Sequence, residues 1–469
     1  MTMDDHPTGP PRHPDDQGRS GNMLGYLPRR SFGMKLLLVC LLALLMAIPA
    51  MFVFTVLYDR SSRAENAIRE ISQRYGGVQA SMGPVLVLPY SDRSQLDDGT
   101  PVTVRKEFVL YAETGTVKAE LATELKRSGI HEVPIYSAEI DYQATFDPSR
   151  IEGALPATGK PDWDNARIYL SMSDSRAARA PTGISVNGED LVPEPVALIC
   201  FQDCSYNTSQ RSLLAANIPD LTSRSGPLTV NARMVFSGGE RIALAPFARN
   251  TDITVVSDWD DPKFEGGYQR NSYTPNEEGG FTATWSIPYE ARGIPGMGSG
   301  LSISDTVQTG NTISIQFVQN ATPYQSVQRA LKYALMFIGF VFLAYFLFEI
   351  TSHQRAHPAQ YVLVGLAQSV FYLLLLSMSE QFGFDLAFII AAAMTVTLTA
   401  GYAVSVFKDR KYGLRALGVF TGIYGLIYVL MRLQDYALLV GALASFVAIG
   451  FTMYMTRNID WYGQQSETD

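Results

Sequence analysis

The sequence is poor in the residues that build covalent or metal frameworks. It has three cysteines in 469 residues, Cys40, Cys200 and Cys204, which excludes a disulfide-rich scaffold and a cysteine-based zinc framework. Its formal net charge is −8, so no basic surface argues for a nucleic-acid partner. It also lacks a Ser/His/Asp order, a glycine-rich phosphate loop and a pair of catalytic carboxylates. The sequence therefore specifies no enzyme, no cofactor and no bound metal.

Long apolar runs are the dominant feature that is present. One run lies near the N-terminus at residues 36–57, and five lie in the last third of the chain. Each is near the ~20 residues that a helix needs to cross ~30 Å of hydrocarbon. Because lipid cannot satisfy backbone polar groups, such runs must be helices in a bilayer. We predict a membrane protein with six transmembrane helices, one plus five, the later ones at residues 333–350, 361–378, 385–407, 416–431 and 436–455.

Basic residues set the predicted orientation. Arg29, Arg30 and Lys35 flank the first run, and basic residues before a first span place that end in the cytoplasm. An independent basic cluster, at residues 408–415, lies between two later spans and agrees with that assignment. Both termini are therefore predicted to be cytoplasmic. A cleaved signal peptide is the alternative for the first run, but its apolar core would span only ~7–15 residues. Pro49 is expected to kink a helix that is retained.

The chain divides into five predicted segments. Residues 1–32 form a disordered cytoplasmic tail, because they are rich in Asp, His, Pro and Gly and can bury little apolar surface. Residues 33–57 form the first transmembrane helix, and residues 58–328 form a β-rich periplasmic domain. Residues 329–456 form a five-helix transmembrane bundle, and residues 457–469 a second cytoplasmic tail.

The predicted periplasmic domain shows the alternation of half-buried strands. In one run Ile313, Ile315 and Phe317 share a face, opposite polar Thr312, Ser314 and Gln316. Two sheets can cover each other's apolar faces without helices, so we predict roughly ten antiparallel strands in a β-sandwich. The same alternation occurs at Ile168, Leu170 and Met172, opposite Arg167, Tyr169 and Ser171, and at Leu228, Val230, Ala232 and Met234.

Cys200 and Cys204 are candidates for a local disulfide. In the predicted topology both face the periplasm, where oxidising conditions allow thiols to pair. Two free or buried thiols are the alternative, because a bridge that closes so short a loop removes little chain entropy. The spacing is not Cys-x-x-Cys, which argues against a redox-active site.

Three ionisable residues near the end of the second span form a candidate polar site. Glu349, His353 and His357 are spaced four apart, so they would share one face if the helix continued through all three. A carboxylate and two imidazoles would suit zinc. At the headgroups, however, the same side chains can reach water with no ligand at all. The sequence leaves both interpretations open, and we expect no bound metal.

Two further polar positions complete the candidate set. Gln368 lies ten residues after Pro358, about 15 Å along a helix and so near mid-bilayer. A polar side chain at that depth is energetically costly unless a neighbouring helix supplies a hydrogen-bond partner. An interhelical hydrogen bond is therefore the simplest role for Gln368. Glu380 borders an outer turn with Asp385, where both can be solvated or cap the next helix.

Four stretches carry a family resemblance: FLFEITSHQRAHPAQYVLVGLAQSVFYLLLLSMSEQFGF, ASMGPVLVLPY, ELKRSGIHEVPIYSAEI, and VVSDWDDPKFEGGY with FTATW. They resemble the CreD family, bacterial inner-membrane proteins named for cell-envelope integrity. The resemblance covers the chain from about Gln79 to Phe384. It implies an inner-membrane location, one anchoring span, a periplasmic domain, a C-terminal bundle, and a role in envelope maintenance or envelope stress. It transfers no catalytic residue and does not extend to the N-terminal tail or to Cys200 and Cys204.

Two functional hypotheses follow. In the first, a non-enzymatic envelope protein binds an unidentified periplasmic or envelope partner while its bundle anchors it in the lipid bilayer. In the second, a transporter or proton-coupled membrane enzyme uses Glu349, His353, His357 and Gln368. Coupled pumps normally keep several ionisable groups within the membrane. Here such groups crowd the ends of the spans, which favours the first hypothesis.

Overall fold

A computed structural model describes residues 32–95, 101–129, 131–196, 212–219, 221, 226–299, 311–317, 323–352, 354–433 and 436–458. The chain divides into two compact units. The membrane unit comprises Met1–Thr55 and Ser326–Asp469, and the sandwich unit comprises Val56–Gln325. The helices are α1 (Phe32–Leu45), α2 (Ala47–Arg74), α3 (Ser149–Glu152), α4 (Tyr289–Arg292), α5 (Pro323–Lys332), α6 (Ala334–Ser352), α7 (Pro358–Phe382), α8 (Phe384–Phe407), α9 (Arg410–Arg432) and α10 (Ala437–Thr456).

The predicted set of six spans is confirmed. Within the described ranges, six helices are long and apolar enough to cross a membrane. The first runs through α1 and α2, and the others are α6 to α10. Helix α9 begins earlier than its apolar run, because the Asp409 side chain accepts a hydrogen bond of 2.9 Å from the backbone N of Lys411 and caps the helix.

The first span is interrupted at Met46, between α1 and α2. Pro49 explains the position of this interruption. It has no N–H to donate to the carbonyl four residues earlier, that of Leu45, and its ring crowds that carbonyl. Hydrogen bonds resume on both sides, from Met46 N to Leu42 O at 3.1 Å and from Ala50 N to Met46 O at 3.2 Å. The span therefore continues through the interruption as one helix.

Aromatic side chains fill the interior of the bundle. The ring of Tyr345 on α6 stacks on that of Phe420 on α9, with centroids 5.6 Å apart and planes inclined by 15°. The rings of Tyr361 and Phe407 also pack against the Tyr345 ring, with centroid distances of 6.3 and 5.9 Å. Large apolar residues on the opposite faces are exposed, among them Leu438 and Phe446 on α10. In a membrane such faces contact lipid.

The sandwich unit contains two sheets, which is the β-rich architecture expected from the alternation. One has ten strands, with β14, β18, β12, β1, β6, β10 and β9 in order and β2, β5 and β17 at its side. The other has eight, in the order β15, β16, β13, β3, β4, β11, β7 and β8. The strands are β1 (Gln79–Gln95), β2 (Pro101–Leu110), β3 (Ala112–Ser128), β4 (His131–Phe146), β5 (Lys160–Pro161), β6 (Arg167–Met172), β7 (Gly183–Val186), β8 (Glu189–Leu191), β9 (Glu194–Val196), β10 (Ser212–Asn217), β11 (Leu228–Gly239), β12 (Arg241–Ala245), β13 (Ala248–Ser257), β14 (Pro262–Gly266), β15 (Ser272–Pro275), β16 (Phe281–Ile287), β17 (Met297–Ser299) and β18 (Ile313–Phe317).

Strand number and direction differ from the prediction. The described residues form 18 strands rather than roughly ten, because strands of two to four residues such as β5 and β17 are too short to show an alternation. Two pairings are parallel, β1 with β12 and β3 with β13. A parallel neighbour requires a long crossover connection, which local sequence patterns do not reveal.

The alternation identified one sheet face correctly and another incorrectly. Leu228, Val230, Ala232 and Met234 on β11 are buried while Asn231 and Arg233 are exposed, as predicted. The predicted solvent face of β6 and β18 is wrong, because Tyr169, Ser171 and Ser314 are also buried. These strands lie inside the ten-stranded sheet, which is covered on both faces around them. On the neighbouring strand β1, the buried hydroxyl of Ser81 lies 2.8 Å from the hydroxyl of Tyr142 and donates to the carbonyl of Ser171 at 3.2 Å. The buried hydroxyl of Ser314 has no hydrogen-bond partner among the described residues.

The core between the sheets requires two glycines. A Cβ on Gly83 would lie 2.6 Å from the Tyr142 ring and 2.7 Å from the Phe247 ring. A Cβ on Gly115 would lie 2.6 Å from the opposite edge of Phe247. The Phe247 ring is fully buried between these two positions. Gly83 belongs to the ASMGPVLVLPY motif, so close packing explains its place there.

Candidate functional site

A polar cluster joins three helices of the membrane unit. It consists of Lys35 on α1, Glu349 on α6, Tyr361 on α7 and the backbone of Ala356 in the α6–α7 link. Glu349 is 6% exposed. One of its carboxylate oxygens accepts a hydrogen bond from the hydroxyl of Tyr361 at 2.9 Å. The other accepts from the backbone N of Ala356 at 3.0 Å and from the ammonium of Lys35.

The sequence around the α6–α7 link explains this arrangement. Pro358 cannot continue a preceding helix, so α6 ends at Ser352 and α7 begins at Pro358. The short link leaves backbone groups without helical partners. Glu349 satisfies the N–H of Ala356, and Lys35 donates to the carbonyl of Ala356 at 3.2 Å. The ion pair therefore also fixes the turn between two spans.

The expected common face of Glu349, His353 and His357 does not form, because the helix ends before the histidines. His357 is the N-cap of α7 instead. Its Nδ1 accepts a hydrogen bond of 3.2 Å from the backbone N of Ala359, and its own backbone N donates to the side chain of Gln360 at 2.9 Å. This reciprocal pair is a capping box with histidine in the role that serine usually has. His353 lies outside the described residues.

The described part of the chain offers no group of three or more His, Cys, Asp or Glu that could hold a metal ion. Both oxygens of Glu349 already accept hydrogen bonds. The Nδ1 of His357 is committed to its helix cap. The Glu349 oxygens and the Nδ1 of His357 are thus used in packing and capping the helices.

Gln368 makes the interhelical hydrogen bond that its sequence position suggested. It is 4% exposed on α7, and its Oε1 accepts from the hydroxyl of Tyr424 on α9 at 2.6 Å. Its Nε2 has no hydrogen-bond partner in the described structure. A second interhelical bond of this type runs from the hydroxyl of Tyr345 on α6 to the carbonyl of Thr399 on α8, at 2.6 Å.

The outer turn carries the remaining polar candidates. Glu380 is half-buried near the end of α7. Asp385, in the first turn of α8, accepts hydrogen bonds from Arg432 at 2.5 Å and from the hydroxyl of Tyr428 at 3.1 Å. Both of these donors lie on α9. Asp385 therefore ties two helices together instead of capping its own.

Of the thiols, Cys40 is free and exposed on α1. The predicted pair Cys200 and Cys204 lies outside the described residues. Their pairing therefore stays a prediction.

A groove of about 420 Å³ crosses the outer face of the eight-stranded sheet. Exposed Lys118, Asp141 and Arg233 lie side by side on β3, β4 and β11, in direct cross-strand register. The next position in this row is Gly183 on β7, which adds no side chain and leaves the groove open at that end. Gln143, Asn231 and Asp190 also line it. We name this surface the charged groove.

Sequence reasoning missed several members of these sites. Lys35 was interpreted only as a charge that orients the first span, and Tyr361 and Tyr424 only as apolar span residues. One signal was available, because a buried carboxylate such as Glu349 needs a cationic partner. Lys35 is the basic residue in the first turns of the first span and could have been considered as that partner. The two tyrosines gave no local signal, because their hydroxyls find acceptors on other helices.

Comparison with known proteins agrees with the architecture. Residues 31–462 match the family described as "CreD: Inner membrane protein CreD". The chain is 29% identical to the inner membrane protein CreD of Escherichia coli (strain K12) over 429 residues, which cover 89% of this chain and 91% of that protein. The chain belongs to the CreD family of inner membrane proteins.

Proposed function

We propose that this inner membrane protein supports cell-envelope integrity or the response to envelope stress through a non-enzymatic binding or scaffolding role. Both termini lie in the cytoplasm, and the sandwich unit lies in the periplasm. The basic residues at positions 408–415 support this orientation. Lys35, which pairs with Glu349, also supports it, because this basic residue lies at the end of the first span that we place in the cytoplasm. The partner is an unidentified component of the periplasm or envelope.

One observation carries this proposal: polar side chains of the bundle form hydrogen bonds and ion pairs that join one helix to another. Lys35, Glu349 and Tyr361 connect α1, α6 and α7. Further bonds connect α6 to α8, α7 to α9 and α8 to α9. A proton-coupled pump needs ionisable groups that can change partners within the membrane. In the described bundle, Lys35 pairs with Glu349 and Arg432 pairs with Asp385, in both cases near helix ends.

The charged groove is the surface that we assign to partner binding. Its polar side chains alternate with core residues, so they can change without disturbing the sandwich interior. The charged groove presents both positive and negative side chains. Such a pattern can attract a partner and also fix the orientation in which it binds. Lys118 and Arg233 stand on either side of Asp141. A partner with a complementary arrangement of charges would fit this row.

The second candidate is a transporter or proton-coupled membrane enzyme. The buried and unpartnered Nε2 of Gln368 favours it, because a polar atom without a partner at that depth could contact a substrate. The neighbouring Tyr424 hydroxyl would then act with it. This hypothesis predicts that Gln368 is indispensable, whereas the scaffold hypothesis does not.

Complementation of a deletion strain tests the two candidates together. The strain is challenged with envelope-damaging detergent, and protein level is measured for every variant. We expect the triple variant Lys118→Ala, Asp141→Ala and Arg233→Ala to lose complementation. We expect Gln368→Leu to keep it, because the lost hydrogen bond with Tyr424 affects packing only.

The matched control is the double variant Lys263→Ala and Glu265→Ala. These residues form an ion pair on β14, away from the charged groove. It should complement like the wild type. If the triple variant complements fully while Gln368→Leu, present at normal level, does not, the scaffold role is contradicted and coupled transport is favoured.

A further inference from the structure

Arg292 is a buried cation in the sandwich unit that none of the preceding roles uses. It ends the one-turn helix α4 and is 0% exposed. Its guanidinium carbon lies over the ring of Tyr111, 3.8 Å from the ring centroid. Stacking of this kind covers the face of the guanidinium and leaves its N–H groups pointing outward in the plane.

Those N–H groups have no well-formed partner among the described residues. The nitrogens Nε, Nη1 and Nη2 of Arg292 are all buried and none makes a hydrogen bond within that part of the chain, and the Tyr111 side chain adds only a minor favourable interaction. Among the described residues, the titratable groups that act on Arg292 are Tyr111, Tyr268 and Tyr289, and no carboxylate is among them. Burial accordingly lowers the pKa of Arg292. A buried guanidinium without an anion or acceptors is strongly unfavourable.

Two other stacked arginines in the same unit show how unusual this is. Arg249 lies over Tyr289 at 4.2 Å, but Glu113 lies 3.4 Å from its Nε. Arg270 lies over Phe264 at 4.7 Å, but it is exposed to solvent. Each therefore has a carboxylate or water as its counterpart. Arg292 has neither.

Tyr268 adds a second unsatisfied group beside Arg292. Its hydroxyl is buried and has no hydrogen-bond partner in the ranges that the structure describes. Burial raises the pKa of Tyr268, and the charge of Arg292 opposes that rise. A guanidinium fork and a hydroxyl are the donors that proteins use for oxyanions.

We infer that Arg292 and Tyr268 form a binding site for a small oxyanion, either a carboxylate or a phosphate group, held by the free edge of the guanidinium and by the tyrosine hydroxyl. The site is independent of the charged groove and of the bundle. A planar guanidinium accepts either group in a bidentate manner. Sodium phosphate and sodium acetate serve as the two probes and distinguish the sources.

The test is thermal unfolding of the full-length protein in detergent, followed by intrinsic tryptophan fluorescence at constant ionic strength with chloride as the reference anion. Three of the four tryptophans, Trp163, Trp259 and Trp285, lie in the sandwich unit and report on it. At ten times its dissociation constant, the bound anion should raise the midpoint by about 3 °C.

Arg292→Met and Tyr268→Phe should each abolish that shift. Tyr268→Phe keeps the shape of the residue, so it remains informative if Arg292→Met fails to fold. Arg270→Met is the control and should retain the full shift. The inference is overturned if neither phosphate nor acetate shifts the wild type, or if both variants respond as the wild type does, which would leave water as the occupant.

Discussion

Lys35 and Glu349 are 314 positions apart in the sequence and form an ion pair inside the membrane unit. The pair connects the first span to the five later ones, although a long domain separates them in the chain. Tyr361 and the backbone of Ala356 complete the hydrogen bonds of the carboxylate. An ion pair of this kind, with Glu349 buried and Lys35 partly exposed, does little for net stability, but it opposes wrong helix arrangements.

The first prediction concerns this pair. Lys35→Met leaves Glu349 buried without its cation and should lower the free energy of unfolding by about 3 kcal/mol. Adding Glu349→Gln should recover about 2 kcal/mol, because the amide still accepts from Tyr361 and no charge remains. Unfolding of the single and double variants in detergent measures this coupling.

Arg432→Met provides a control for that cycle. It removes an exposed ion pair with Asp385, so it should cost no more than about 1 kcal/mol. A double variant that is no more stable than Lys35→Met would contradict the role given to the pair.

The second prediction separates helix capping from metal binding at His357. His357→Ala should lower stability by about 1 kcal/mol through loss of the cap, and His357→Asn should restore most of it. Elemental analysis of the purified wild type at neutral pH should find less than one tightly held transition-metal ion per chain. A stoichiometric metal that His357→Ala releases would show that the capping interpretation is incomplete.

The third prediction concerns Cys200 and Cys204. If both face an oxidising compartment and pair, alkylation of the intact protein before and after reduction should differ by two thiols. Equal labelling would leave only the free-thiol interpretation.

The fourth prediction concerns topology. Reporters fused after Arg410 and after Arg457 should be cytoplasmic, and one inserted near Gly99 should be periplasmic, because the basic links fix the side of each loop. A periplasmic signal after Arg410 would reject the arrangement of six spans with both termini inside.

The spans were predictable because a bilayer imposes one length and one composition on them. The predicted limits 385–407 and the observed helix Phe384–Phe407 differ by one residue. The outer face of β11 was predictable for a similar reason, since Asn231 and Arg233 alternate with buried residues. The spans and the outer face of β11 both depend only on residues that are close together in the sequence.

Features that depend on distant residues were not predictable. The burial of Tyr169 and Ser171 depends on strands that the sequence does not mark as neighbours. The hydroxyls of Tyr361 and Tyr424 find their acceptors on other helices. Arg292 appears in the sequence as an ordinary charged residue of a short turn. Its guanidinium is buried against Tyr111, which lies far from it in the sequence.

The most direct test of the account is site-specific photocrosslinking in living cells. A photoreactive amino acid at position 118, in the charged groove, should give a discrete adduct with one envelope component, and the same residue at position 263 should not. The adduct should disappear when Asp141→Ala and Arg233→Ala are added. If position 118 gives no adduct, or the same adducts as position 263, the proposed binding role of the charged groove is contradicted.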